Sequence, residues 1–160
     1  MRRILIAFAA VAAVAAIGLP AATAQPPHAR TFTLVEHAGG LSTVDLPPIA
    51  DSAGAPPSRG DLVVFAKRLT TPAGKRAGTL HAVCTVTAPR ASLESSLFQC
   101  DATYVLRDGR LTVATAGAIS APKLTLAVTG GTGAYAGARG EIISRANGDT
   151  ARDTVRLARH

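Results

Sequence analysis

The chain contains no tryptophan, one methionine, two tyrosines and four phenylalanines, so aromatic residues make up only 4% of its 160 positions. That scarcity argues against a pocket that steadies a cationic intermediate with stacked rings. It also argues against nucleic-acid binding, which pairs clustered positive charge with interleaved aromatics. The basic side chains are numerous, with a formal net charge of +7, but they are spread along the chain from Lys67 to Arg156 and read mainly as a solvated face. Four histidines (His28, His37, His81, His160) and two cysteines lack ligand spacing for zinc, so no metal and no cofactor is expected. Ser92, Ser95 and Ser96 have no glycine elbow beside them, which leaves a serine hydrolase without support. Past the N-terminus, no segment carries a convincing helical period.

The N-terminal segment is the one long apolar run. Arg2 and Arg3 precede Ile4–Leu19, then come Pro20 and the small-residue site Ala22-Thr23-Ala24. This pattern is that of a secretory signal peptide spanning residues 1–24, cleaved after Ala24. The run is short for a membrane span and no stop-transfer charges follow, so no stable membrane anchor is expected. Residues 25–160 then form one secreted, extracellular domain, long enough for a core and too short for two. Its loosest parts are Gln25–Arg30 and Leu46–Arg59, rich in proline, alanine, glycine and serine.

What fills the rest is alternation. In Leu124–Ile143, Leu124, Leu126 and Val128 alternate with Thr125, Ala127 and Thr129, the period of a strand with one buried face. Gly130, Gly131, Gly133, Gly137 and Gly140 follow around Tyr135, which predicts a tight re-entrant loop before strand resumes. Similar runs occur at Thr31–His37, Asp61–Leu69, Gly78–Thr87, Leu97–Leu106, Arg110–Ala116, Lys123–Thr129, Arg139–Ala146 and Thr150–Leu157. Eight strands at hairpin spacing predict an all-β, eight-stranded antiparallel up-and-down barrel, closed near the Thr129–Gly140 loop and wide enough for one small ligand.

Turn chemistry sets a register. A two-residue turn at Asp108-Gly109 would pair Arg107 with Arg110, Leu106 with Leu111 and Tyr104 with Val113. If Cys84 faces Cys100, then Ala82 meets Ala102, Leu80 meets Tyr104 and Val86 meets Phe98, and the shared face is apolar. Two cysteines so placed in an exported chain are most simply a disulfide, with a metal or redox pair as weaker rivals. Carried back one hairpin, the same register puts Phe65, Val63 and Asp61 on the inner face, so that a carboxylate points inward.

The wording TGGTGAYAGARG at Thr129–Gly140, with Gly60-Asp61 opening an earlier strand, resembles the bacterial secreted relatives of allene oxide cyclases and dirigent proteins. The resemblance runs from about Arg30 to Leu157. It implies a barrel that holds a small hydrophobic metabolite and steers its cyclisation or isomerisation, with a carboxylate in the lumen moving a proton. Asp61 is the candidate acid or base; Tyr104, Phe65, Tyr135 and Arg139 are candidate ligand contacts. The plant members' example implies a homo-oligomer, a trimer. Against these stand plainer roles: Asp61 as a turn cap or partner of Arg59, and Tyr104 as ordinary core. Three classes compete, an isomerase or cyclase, a lipocalin-like binder without chemistry, and an oligomeric surface module. Gly131-Thr132-Gly133 is a turn rather than a nucleotide cradle, since a strand and not a helix follows it.

Overall fold

A computed structural model describes residues 30–47 and 56–158. The signal peptide expected at 1–24, and most of the loose segment before Arg59, lie outside these residues. Nine strands account for the described chain: β1 (Arg30–His37), β2 (Leu41–Val44), β3 (Leu62–Thr70), β4 (Arg76–Ala88), β5 (Leu97–Leu106), β6 (Gly109–Ala118), β7 (Lys123–Gly133), β8 (Gly140–Asn147) and β9 (Thr150–Leu157). Among the described residues there is no helix. All pairings are antiparallel, in the order β1-β9-β8-β7-β6-β5-β4-β3, and β1 returns to pair with β3 through Val35↔Thr70 and Glu36↔Leu69. That short seam, rather than the glycine loop, closes an eight-stranded barrel.

β2 was not expected. Its four residues are all exposed, so no alternation marks it, and it pairs with the first half of β3 through Leu41↔Phe65 to Val44↔Leu62. The β4–β5 register is the expected one throughout: Cys84↔Cys100, Ala82↔Ala102, Leu80↔Tyr104 and Val86↔Phe98 are direct partners. Cys84 and Cys100 are bridged, tying β4 to β5 from inside the barrel.

Two turns differ from expectation. In the β5–β6 hairpin, Leu106 pairs with Gly109 and Tyr104 with Leu111, so the connecting pair is Arg107-Asp108. Gly109 is drawn into the strand, at φ +151°, because a Cβ there would run into the Thr132 carbonyl of β7. The slip is two residues in the partner strand, an even number, and every side chain keeps its face. The glycine stretch likewise begins as strand: β7 continues through Gly133, with Gly131 opposite Leu111, and the true turn is Ala134–Gly137. Gly131 has no room for a side chain, since a Cβ would meet the carbonyls of Tyr135 and Arg110.

The core divides in two. At one end of the barrel Leu34, Leu69, Leu111, Val155 and Leu157 pack with Tyr135, whose turn folds across that end as a plug. Phe32 lies 6.2 Å from the Tyr135 ring, and the Arg30 guanidinium sits over both rings, at 5.6 and 5.1 Å. Toward the other end Val63, Val86 and Phe98 pack around Cys84. Between the two the lumen is not filled.

Candidate functional site

Inward positions along the strands are apolar almost everywhere, as a barrel core requires. The exceptions sit together. Glu36 follows Phe32 and Leu34 on the inner phase of β1, Lys67 interrupts Val63, Phe65 and Leu69 on β3, and Asp153 interrupts Ala151, Val155 and Leu157 on β9. With Tyr104 of β5 they form a polar layer across the barrel. The Tyr104 hydroxyl donates to Asp153 Oδ2 at 2.8 Å and lies 3.4 Å from Glu36 Oε1. Lys67 Nζ donates to Glu36 Oε2 at 2.7 Å and rests 5.2 Å from the centre of the Phe65 ring.

Burial governs the electrostatics of this layer. Asp153 and Tyr104 are fully buried, and Glu36 is 5% exposed. Burial, then the neighbouring charge of Glu36 and a hydrogen bond to it, push the Asp153 carboxyl up to about 8, against a weaker downward pull from Ser144 and Tyr104. Asp153 therefore holds its proton at neutral pH. The Tyr104 hydroxyl is raised well above its usual value by burial and by the two carboxyls. Asp153 Oδ1 is buried without a well-formed hydrogen bond, an unusual cost inside a protein.

Above the layer lies a cavity of about 380 Å³. Glu36, Lys67 and Ser144 reach it from the polar side. Its walls are Phe65, Ala82, Ala102, Val113, Leu124 and Leu126, with the Cys84–Cys100 bridge nearer the mouth. Such a volume is at the small end of those that hold organic ligands. It exists because inner positions that could carry large side chains carry alanine or serine instead.

The expected site residues separate on this geometry. Phe65 lines the cavity, and Tyr104 is part of the polar layer at its base. Asp61 is not at the cavity. It stands on the inner side just before β3, and its carboxylate accepts hydrogen bonds from Ser58 N at 2.7 Å, Ser58 Oγ at 2.9 Å and Leu46 N at 3.0 Å. Partial desolvation pushes its pKa up, but these three donors outweigh it and leave the carboxyl below its usual value. A carboxylate so satisfied organises the connection between β2 and β3; it is a poor proton carrier at neutral pH. Tyr135 is buried in the plug at the closed end, away from the cavity. Arg139 is on the outer surface, donating to the Ala138 carbonyl at 2.9 Å.

Glu36, Lys67 and Asp153 escaped the sequence reading, although a signal for them exists. Each is a charged residue in the apolar phase of an alternating strand, the same anomaly that singled out Asp61. Among the described residues, no group of three or more histidine, cysteine, aspartate or glutamate side chains is arranged to hold a metal.

The chain is thus an antiparallel eight-stranded barrel with a plugged end and a mostly apolar lumen over buried carboxyl groups. Residues 48–157 match the allene oxide cyclase barrel like domain, and the chain belongs to that family. Solved structures share the fold. A pyocyanin demethylase is 24% identical over 79% of this chain and 99% of its own, with a TM-score of 0.62. A Diels-Alderase from Streptomyces koyangensis is 19% identical over 82% of this chain and 64% of its own, at 0.59. A pterocarpan synthase dirigent protein is 18% identical over 82% and 84%, also at 0.59. No curated protein sequence matches the chain.

Proposed function

We propose that the barrel binds a small hydrophobic metabolite in its lumen and steers its isomerisation or cyclisation, with Glu36 as the group that moves the proton. The observation that carries this reading is the position of the ion-paired Glu36 at the base of a mostly apolar cavity, backed by a protonated Asp153. An isomerisation needs a base that removes a proton from one atom of the substrate and returns it to another, with no net change in oxidation state. Glu36 reaches the cavity and can do both. Asp153 and Tyr104 are sealed beneath it and act as positioning residues: the Tyr104 hydroxyl holds Asp153 in place, and the Asp153 carboxyl in turn orients the Glu36 carboxylate and spreads its charge. Lys67 completes the set, and its ammonium stabilises negative charge that develops on a substrate oxygen. The apolar walls favour a curled substrate and hold the reacting atoms together.

A second reading, a carrier that performs no chemistry, draws on the sealing of Asp153 and Tyr104 from the cavity. One experiment separates the two. Oxylipin-like and phenolic compounds are screened for binding and for conversion, and Glu36→Gln is compared with the parent protein. The enzyme reading expects turnover to be lost while affinity stays within about tenfold; unchanged turnover, or a bound ligand that is never converted by the parent, leaves only the carrier.

The reading places the protein outside the cell after cleavage at Ala24, with its disulfide formed there. It also extends to self-association: Val64 and Val83 are direct partners on the outer wall and are 39% and 45% exposed, an apolar spot suited to a neighbouring copy.

A further inference from the structure

Two pairs of alanines shape the lumen. Ala82 and Ala102 are direct partners on β4 and β5, and Ala146 and Ala151 are direct partners on β8 and β9; all four line the cavity. Taken around the barrel in the order β1, β3, β4, β5, β6, β7, β8, β9, the two pairs are four strands apart. In a closed barrel of eight, four strands apart means opposite walls. Two bulky residues face each other on another diameter: Phe65 on β3, the direct partner of Ala82, and Leu124 on β7 are also four strands apart and line the same cavity, with Leu80, Val113 and Leu126 elsewhere on its wall. Both are only partly buried, because each turns a face to the lumen.

A lumen with alanines at both ends of one diameter and a phenyl ring and a leucine at both ends of the other is a slot. We propose that this slot selects flat ligands, conjugated or fused-ring compounds, inserted with their edges between the two alanine pairs and their faces against Phe65 and Leu124. The inference rests on lumen binding as proposed above and adds the ligand's shape. A planar ring system gains contact on both faces from Phe65 and Leu124, whereas a globular molecule of equal carbon count leaves space beside the alanines and collides across the narrow diameter. Misfit of this kind is costly, because a packed wall yields little.

The test uses two alcohols with the same number of carbon atoms, 2-naphthol, which is flat, and 1-adamantanol, which is globular. Titration calorimetry of the parent protein should show 2-naphthol binding at least about tenfold more tightly. Ala82→Leu inside the lumen and Ala146→Leu at its rim, each placing a larger side chain into the cavity, should both weaken 2-naphthol by about tenfold or more, and Phe65→Ala should remove the preference by widening the narrow diameter. Circular dichroism melts identify any variant that fails to fold, and Ala82→Val and Ala146→Val then replace it. Equal affinity for the two alcohols, lost together in the leucine variants, overturns the slot and leaves lumen binding intact. Binding that no lumen substitution alters, or no binding of either alcohol, overturns both.

Discussion

The Tyr104 hydroxyl donates a 2.8 Å hydrogen bond to Asp153 Oδ2 across the interior of the barrel, joining β5 to β9. These strands are not neighbours, so the bond spans the lumen and separates the core at the plugged end from the cavity. Below it the plug of Tyr135 and its leucine neighbours excludes solvent; above it the alanines leave the cavity. Burying an aspartate there is tolerable only because it stays protonated, shares Glu36 and accepts from Tyr104.

Stability should therefore fall as pH rises from about 4 to about 8. In the folded state Asp153 keeps its proton up to about 8, while in the unfolded chain it ionises near the ordinary carboxylate value, so between these limits the unfolded state binds fewer protons and gains on the folded one. The contribution is fully present below the unfolded value and lost as pH passes through the folded one. Thermal melts at pH 5, 7 and 9 should show the decline in the parent, and Asp153→Asn should flatten it.

Tyr104→Phe leaves the ring packing in place and removes the donor. The expected loss is about 1–3 kcal/mol, because buried Asp153 Oδ2 then has no partner. Denaturant unfolding measures it, and the midpoint should shift with little change in slope.

Asp61→Ala should cost a similar amount, roughly 1–3 kcal/mol, by releasing Ser58 and Leu46. Any ligand taken up in the lumen should bind as before, since Asp61 is not part of the cavity wall. Loss of binding at unchanged stability would return Asp61 to the site.

Removing the bridge by Cys84→Ala with Cys100→Ala should lower stability by about 3 kcal/mol, the effect of freeing a loop of this size. Thiol titration of the unfolded, unreduced parent should find no free thiol.

The barrel was legible in the sequence because its strands are half-buried and their alternation repeats at hairpin spacing. The β4–β5 face came out pair by pair, since Cys84 and Cys100 pinned one partner and a period of two did the rest. β2 was not legible, as four exposed residues leave no pattern. The β5–β6 turn slipped because Gly109 serves a neighbouring strand and not the turn, a tertiary demand invisible in a local Asp-Gly signal. The site was half legible. Phe65 and Tyr104 lie on the inner face as their register implies, whereas Asp61, in the same phase, stands at a strand start where local donors satisfy it. Glu36 and Asp153 are brought together by the pairing of the first strand with the last, and Lys67 joins them only where β1 closes onto β3; no short-range pattern reports either pairing.

The central claim, that a hydrophobic ligand occupies the lumen above Glu36, is tested most directly by methyl resonances of alanine. With the alanine methyls carbon-13 labelled, 2-naphthol is titrated into the protein. The account predicts that Ala82, Ala102, Ala146 and Ala151, which line the cavity, shift together and saturably, while Ala66 and Ala127, exposed on other faces of the same strands or their neighbours, stay in place. Shifts confined to the outer alanines, or none among the four inner ones at saturation, would contradict it.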